Sequence, residues 1–106
     1  MQVRYYVTDH GQCPGRRFLS GLAERFRGQI SADLALLGRE GEKAPVSKKR
    51  VKGHNPMWEL RIGGYRVFFV REGKEVFWVL GMCKKQDYER EIAACARRMN
   101  DLFGGR

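Results

Sequence analysis

The chain has 106 residues, a size suited to one folded domain, with 42% hydrophobic residues and a formal net charge of +9. No apolar run approaches the length that spans a bilayer, and the first residues lack the basic start and long apolar stretch of a secretory signal. We therefore expect a single cytoplasmic domain over residues 1–106 that does not associate with membranes.

The N-terminal half predicts one strand followed by two helices. Residues 2–8 alternate in the manner of a half-buried strand, and Pro14 is a natural first-turn residue for a short helix over residues 14–21. A second helix is predicted over residues 22–38, where apolar side chains recur every three or four positions at Leu22, Phe26, Ile30, Leu34 and Leu37. This continuous apolar stripe indicates a helix that packs on a sheet.

The C-terminal half predicts three strands and a final helix. The strands cover about residues 57–62, 65–71 and 75–84. Gly63-Gly64 joins the first pair and Glu72-Gly73-Lys74 joins the second pair, and short connections that contain glycine are typical of β-hairpins. Residues 87–103 repeat apolar side chains at helical spacing, which predicts the last helix.

This order of elements, β-α-α-β-β-β-α, favours the α+β class. Helices that precede a run of strands favour an antiparallel three-stranded meander with the helices packed on one sheet face. We therefore expect an N-terminal strand, a helical hairpin, a basic loop, the meander and a C-terminal helix. The opposite sheet face would be free, and basic side chains from several strands would converge on it.

Positive charge is concentrated in one fifth of the chain. Residues 47–66 carry six basic side chains and one acidic side chain, whereas residues 1–46 and 67–106 each have a net charge of only +2. A concentrated positive field attracts phosphates, so RNA is the expected partner; the alternative is a solvated basic loop without a partner. The candidates for RNA binding are Lys48, Lys49, Arg50, Lys52 and His54.

The cysteines and histidines do not predict a metal site. Three cysteines cannot all pair within the chain, and no two of them have Cys-x-x-Cys spacing. The two histidines, His10 and His54, lie too far apart in sequence for a local metal motif. We therefore expect reduced thiols with a structural role, Cys83 and Cys95 in the core, and neither a metal nor a cofactor.

The order of elements and three short motifs resemble the RelE/HigB superfamily, most closely its phage-derived HigB-like branch. The motifs are Trp58-Glu59-Leu60-Arg61, Gly64-Tyr65-Arg66-Val67 and Lys84-Lys85 before the last helix. The resemblance implies the toxin of a type II toxin–antitoxin pair, an endoribonuclease that cleaves mRNA in the ribosomal A site without a metal. It also implies contact with ribosomal RNA and a cognate antitoxin, expected to be a helix-turn-helix protein.

The resemblance also assigns roles to individual residues. Arg66 follows Gly-Tyr and matches the family's arginine that contacts the scissile phosphate. Lys84 and Lys85 match a Lys/Arg pair, of which one residue stabilises the leaving group, and Tyr88 matches an aromatic that stacks on a base or acts as acid or base. Tyr88 also fits the apolar stripe of the last helix, which would make it a core residue. Arg61 lies five residues before Arg66, and strand alternation leaves open whether the two share a face.

The general base is the point at which the chain departs from the family. RelE-type enzymes carry lysines at alternating positions on the strand before Gly-Tyr-Arg, where this chain has Met57 and Glu59. Lys52 and His54 in the preceding loop are substitutes, and histidine titrates in the useful range. Glu59 would act as the base itself, or would only pair with an arginine across the hairpin.

Two other functions fit the same scaffold. A ParE-like protein would inhibit DNA gyrase by binding and without catalysis, although its relatives generally lack clustered catalytic cations. An inactive prophage-derived relic would retain only RNA or antitoxin binding, which the missing strand lysines leave open. Four cations favour the nuclease over both alternatives: Arg61, Arg66, Lys84 and Lys85.

Overall fold

A computed structural model describes residues 1–104, which form five strands and three helices. The strands are β1 (Gln2–Tyr5), β2 (Lys48–Arg50), β3 (Trp58–Ile62), β4 (Tyr65–Glu72) and β5 (Val76–Lys84). The helices are α1 (Pro14–Ser20), α2 (Glu24–Glu40) and α3 (Tyr88–Phe103), and short 3-10 turns cover Gly41–Lys43 and Lys85–Asp87. The predicted α+β class is confirmed, with one strand more than expected. Among these residues, no helix combines the length and apolarity that crossing a bilayer requires.

The five strands form one mixed sheet with the order β1-β5-β4-β3-β2. Strands β2 to β5 are antiparallel neighbours, whereas β1 runs parallel to β5 at the far edge. The predicted meander is therefore present and has one additional strand on each side. The basic segment 48–50, which we expected to be a loop, is an edge strand because it pairs with β3, with Lys49 opposite Glu59.

The hairpin between β3 and β4 turns at Gly63-Gly64, as the sequence predicts. Gly63 has a φ of 57°, a conformation that glycine adopts without steric cost. The register that follows places Arg61 directly opposite Arg66. Because directly paired residues of two antiparallel strands project from the same face of the sheet, the two arginines share a face.

Helices cover both faces of the sheet, so the prediction that they pack on one face is wrong. Val67 and Phe69 of β4 belong to the core that includes α2, whereas Phe68 and Val70 belong to a second core that includes α3. The physical reason is that residues 67–70 of β4 are all buried, so both faces of this strand need an apolar cover. Helix α3 packs mainly on β5 and β4. The β2–β3 end of that face therefore stays open beside the first turn of α3.

Gly81 of β5 lies beneath α3, where a side chain would meet an ion pair. Arg98 donates hydrogen bonds to Glu91 Oε2 and to the carbonyl of Leu80, each at 2.9 Å. A Cβ at position 81 would collide with the Glu91 carboxylate and come within 2.5 Å of the Arg98 guanidinium. We expect Gly81→Ala to lower the free energy of unfolding in urea by about 1–3 kcal/mol. Gly28→Ala is the matched control.

Gly28 lies in α2, and a Cβ built there meets nothing within 4 Å. Alanine is the better helix former, so this substitution should raise the free energy of unfolding by about 0.5–1 kcal/mol. The two glycine-to-alanine changes thus have opposite expected signs. Equal urea midpoints for the two variants would contradict the packing described for Gly81.

Candidate active site

An open cavity of about 240 Å³ lies where β2, β3 and β4 meet the start of α3. Six side chains line it: Lys49, Glu59, Arg61, Arg66, Lys85 and Tyr88. The four cations come from four separate segments, namely β2, β3, β4 and the 3-10 turn before α3. They surround one carboxylate and one phenol, and all six residues are among the candidates from the sequence.

Strand register explains why these side chains converge. Lys49 is paired with Glu59, and Arg61 is paired with Arg66, so all four project from one face of three adjacent strands. The backbone N–H of Lys85 donates a hydrogen bond of 2.8 Å to the carbonyl of Gly64. This bond ties the 3-10 turn to the hairpin and brings the last cation to the cavity.

Glu59 is the one charged side chain that is completely buried in the described part of the chain, with 0% exposure. Its Oε2 accepts a hydrogen bond from Arg61 Nε at 3.0 Å and lies 3.8 Å from Arg66 Nε, while its Oε1 accepts a hydrogen bond from the Tyr88 hydroxyl. A buried carboxylate needs such partners, because removal from water without them is very costly. Glu59 therefore pairs with the arginines, one of the two alternatives that the sequence leaves open.

Arg66 is held in place by the backbone of the turn. Its Nη1 donates hydrogen bonds to the carbonyls of Gly63 at 2.8 Å and Tyr65 at 2.9 Å, and its side chain is 11% exposed. Its Nη2 makes no hydrogen bond within residues 1–104. Arg61 is more open, with 44% of its side chain exposed. A guanidinium fixed in this way is pre-organised for a phosphate, which it binds through planar, charge-assisted hydrogen bonds.

Tyr88 lies both in the core and at the cavity. Its ring lies 5.6 Å from that of Phe68, in the core beneath α3, while its hydroxyl reaches Glu59 at the cavity. Burial, with a smaller contribution from the hydrogen bond to Glu59, raises the pKa of Tyr88 to about 12. The phenol is therefore neutral near pH 7 and donates a hydrogen bond to the carboxylate.

The pKa of Tyr88 has a measurable consequence for stability at high pH. Because the folded-state pKa of about 12 lies above the ordinary value of 10.0, this contribution to stability is complete below pH 10 and is lost as the pH rises towards 12. We expect Tyr88→Phe to reduce the fall in unfolding free energy over that range, measured by urea denaturation. Tyr65→Phe, on the opposite sheet face, is the control. A wild-type slope in Tyr88→Phe would contradict the assigned pKa.

The cysteines do not contribute reactive groups to the cavity. Cys83 is paired with Arg66 in the sheet register, but it is buried, and burial raises the pKa of its thiol to about 12. Cys95 is also buried, which raises the pKa of its thiol further still. The predicted core position of both cysteines is confirmed. No group of three or more histidine, cysteine or acidic side chains suited to a metal occurs among residues 1–104.

Five candidate residues lie outside the cavity. They are Lys48, Arg50, Lys52, His54 and Lys84. Lys48 and Arg50 alternate with Lys49 along β2 and therefore lie on the opposite sheet face, where each is near the ring of Trp58. Lys52 and His54 lie in the turns between β2 and β3. Of the three candidates for the general base, only Glu59 is therefore at the cavity.

Lys84 and Lys85, which the resemblance predicts to act as a pair, lie on opposite faces of the sheet. Lys84 is paired with Tyr65, whose ring packs against Phe26 of α2 at 5.1 Å, so Lys84 lies on the face of α1 and α2. Lys85 follows on the other face and lines the cavity. The leaving-group role therefore fits Lys85, and the cavity does not include Lys84.

The hydrogen bond between Tyr88 and Glu59 is the feature of the site that the sequence does not predict. The two residues are 29 positions apart, whereas strand alternation and helical periodicity are local signals. One sequence feature does point to it: a tyrosine in an apolar stripe has a hydroxyl that needs a partner when buried. That requirement indicates a polar neighbour without identifying it.

The chain matches one described protein family over most of its length. The sequence profile of phage-derived protein Gp49-like (DUF891) matches residues 17–100, about four fifths of the 106 residues. The search of curated proteins gives no match. The family match is therefore the direct sequence evidence of relationship.

Two solved structures are similar to the fold. One is the RelB–RelE antitoxin–toxin complex from Methanococcus jannaschii, with a TM-score of 0.62, 12% identity, and coverage of 83% of this chain and 96% of that chain. The other is the archaeal RelE–RelB complex from Pyrococcus horikoshii OT3, with a TM-score of 0.54, 20% identity, and coverage of 80% and 97%. The predicted RelE-like fold is confirmed, whereas membership of the RelE/HigB superfamily and of its HigB-like branch stays a prediction. The chain belongs to the phage-derived Gp49-like family and has a RelE-like fold.

Proposed function

We propose that this protein is the toxin of a toxin–antitoxin pair and that it cleaves mRNA on the ribosome as a metal-independent endoribonuclease. The observation that carries this proposal is the cavity, in which four cations from separate segments surround a buried carboxylate and a phenol. The RelE-like fold and the sequence motifs around Arg66 support the same function. The positive charge of residues 47–66 supports an anionic polymer as the substrate.

The proposed reaction is a transesterification within the RNA chain. The ribose 2′-oxygen attacks the adjacent phosphorus and the bond from phosphorus to the 5′-oxygen breaks, which leaves a 2′,3′-cyclic phosphate and a 5′-hydroxyl. The reaction needs an acceptor for the 2′-proton, cations for the charge that develops on the phosphate, and a proton donor for the 5′-oxygen. Each requirement has a candidate at the cavity.

Three cations fit the phosphate and the leaving group. Arg66 and Arg61 are paired directly across the hairpin, so one phosphate between them would receive hydrogen bonds from two guanidinium groups. Lys85 lines the same cavity and would donate a proton to the departing 5′-oxygen. Lys49, on the edge strand, would neutralise a neighbouring phosphate. These roles use electrostatic stabilisation by groups already held in position, which is usually the largest single contribution to catalysis.

The proton of the 2′-hydroxyl would leave through Tyr88 and Glu59. Glu59 is fully buried, so its carboxylate does not contact a substrate directly, whereas Tyr88 lines the cavity and its hydroxyl donates a hydrogen bond to Glu59. The phenol oxygen would accept the 2′-proton as the phenol proton passes to the carboxylate. Glu59 ends the step protonated and Lys85 ends it deprotonated, so the loss of one proton from Glu59 to solvent and the gain of one by Lys85 restore the site. This relay would take the place of the strand lysines that the related enzymes carry and that this chain lacks.

The proposed partner that silences the protein is a cognate antitoxin, which the sequence resemblance predicts to be a helix-turn-helix protein. The two similar solved structures are complexes of RelE with RelB. A partner that covers the cavity of a chain with a net charge of +9 would present acidic side chains to it.

Controlled expression with two parallel measurements tests the proposal. We expect growth arrest, cleaved messages in primer extension, unchanged plasmid supercoiling, and rescue by the gene that neighbours this one. Growth arrest with intact messages and altered supercoiling would instead indicate a gyrase inhibitor. Normal growth with intact messages would indicate an inactive relic.

A further inference from the structure

A second group of cations lies on the sheet face opposite the cavity, around Trp58. The Arg50 guanidinium lies 4.3 Å and the Lys48 Nζ 5.9 Å from the centre of the Trp58 ring. Arg50 is the register partner of Trp58, and Trp58 is the register partner of Phe69. The rings of Trp58 and Phe69 are nearly parallel, with 7° between their planes and 6.2 Å between their centres. A guanidinium and two aromatic rings thus form one row across the sheet.

Strand β2 connects this row to the cavity. It is the edge strand, so no described strand pairs with its outer side, and it presents Lys49 to the cavity and Lys48 and Arg50 to the opposite face. Residues 47–58 include four basic residues and no acidic residue. The cations therefore continue without interruption from one face to the other around the edge of the sheet.

The position of Arg50 over the indole is fixed by the turn that precedes β3. Its Nη1 donates hydrogen bonds to the carbonyl of Pro56 at 3.1 Å and to Asn55 Oδ1 at 3.4 Å. The side chain remains exposed. A planar guanidinium held over an aromatic ring is a stacking partner for a nucleobase as well as a donor to a phosphate. The simpler role for Arg50 is to shield the indole from water. In that case, removal of Arg50 would not change the affinity for RNA.

We propose that single-stranded RNA extends from the cavity around β2 and stacks a base on the surface formed by Arg50 and Trp58. Lys48 and Lys49 would neutralise the phosphates on the two sides of the edge. Single-stranded RNA is the expected ligand class, because the bases of a duplex are paired and already stacked. Stacking on these groups does not contact the base edges that distinguish one base from another, so binding would tolerate different RNA sequences. The inference rests on the proposed function of the cavity, but it concerns binding and not cleavage.

The fluorescence of Trp58 provides a direct test. The chain has two tryptophans, Trp58 and Trp78, so Trp78→Phe leaves Trp58 as the only reporter. The RNA is a single strand of about ten nucleotides with 2′-O-methyl riboses, which the proposed reaction does not cleave. We expect saturable quenching of Trp58 by this strand and none by the same strand in a duplex. RNA binding detected by anisotropy without a change in Trp58 fluorescence would overturn the proposal.

Two charge-matched variants test the contribution of Arg50 in the Trp78→Phe protein. We expect Arg50→Ala to weaken binding of the 2′-O-methyl strand by at least about fivefold. Arg16→Ala also removes one guanidinium, which lies 4.4 Å from the ring of Tyr5 and away from β2, and should weaken binding by less than about twofold. Equal losses of RNA affinity in the two variants would show that Arg50 acts only through general charge attraction, and would overturn the proposal. Because the strand is not cleaved, this result is separate from any failure of the nuclease proposal.

Discussion

Arg66→Ala should lower the rate of RNA cleavage by at least about 10²–10³-fold, because it removes a positioned donor to the charge that develops on the phosphate. The wild-type guanidinium is held by two turn carbonyls and by Glu59, so no other side chain replaces it at the same place. Single-turnover cleavage of a defined message measures the loss. The same substitution should relieve growth arrest.

Arg71→Ala is the control for this substitution. Arg71 lies at the other end of the same strand, where it pairs with Glu42 at 2.6 Å. The Arg71→Ala protein should therefore cleave RNA at the wild-type rate. Thermal unfolding of both variants establishes that each is folded in the assay. An Arg66→Ala protein that is folded, fully toxic and equally active would show that the site is assigned incorrectly.

Glu59→Gln should lower cleavage by about 10²–10⁴-fold, because the amide has the size of the carboxylate but accepts no proton from Tyr88. Glutamine also removes the negative charge between the two arginines, so we expect a shifted pH profile of the residual activity. Alanine is less suitable, because it leaves an empty space among charged groups. Cleavage rates over a range of pH, together with urea denaturation, separate the chemical effect from unfolding.

The relay through Tyr88 and Glu59 is tested by a double-mutant cycle. If both residues act in one proton transfer, Tyr88→Phe should approach the loss seen in Glu59→Gln, and the double variant should be no slower than either single variant. If Tyr88→Phe retains full activity while Glu59→Gln does not, the relay is wrong. Glu59 would then be a positioning residue that holds Arg61 and Arg66.

The elements predicted correctly from the sequence are those with strong local signals. The hairpin of β3 and β4 depends on a glycine turn between two β-type runs, and both lie within 15 residues of sequence, 58–72. The apolar stripe of α2 identifies the buried face but not the ends, so the helix covers Glu24–Glu40 and not 22–38. Strand β2 has three consecutive basic residues and no alternation. Only its pairing with β3 makes it a strand.

The positions of Lys84 and Lys85 on opposite faces of the sheet show why part of the site could not be predicted from the sequence. Phe77 and Val79 belong to the core of α2, and simple alternation from them places Lys85 on that same face and Lys84 at the cavity. A bulge in the pairing of β4 and β5 at Phe68/Phe69 inserts one residue and reverses the alternation. As a result Lys85 reaches the cavity. Gly81, beside the bulge, is the one local signal in β5, because a glycine inside a strand often marks a bulge, but it does not give the register.

The chemistry of the RNA ends left by the purified protein is the most direct test of the proposed site. On translating ribosomes, the wild-type protein should leave 2′,3′-cyclic phosphate and 5′-hydroxyl ends, and Arg66→Ala should leave none. Cleavage that yields 5′-phosphate ends would contradict a transesterification carried out by these side chains.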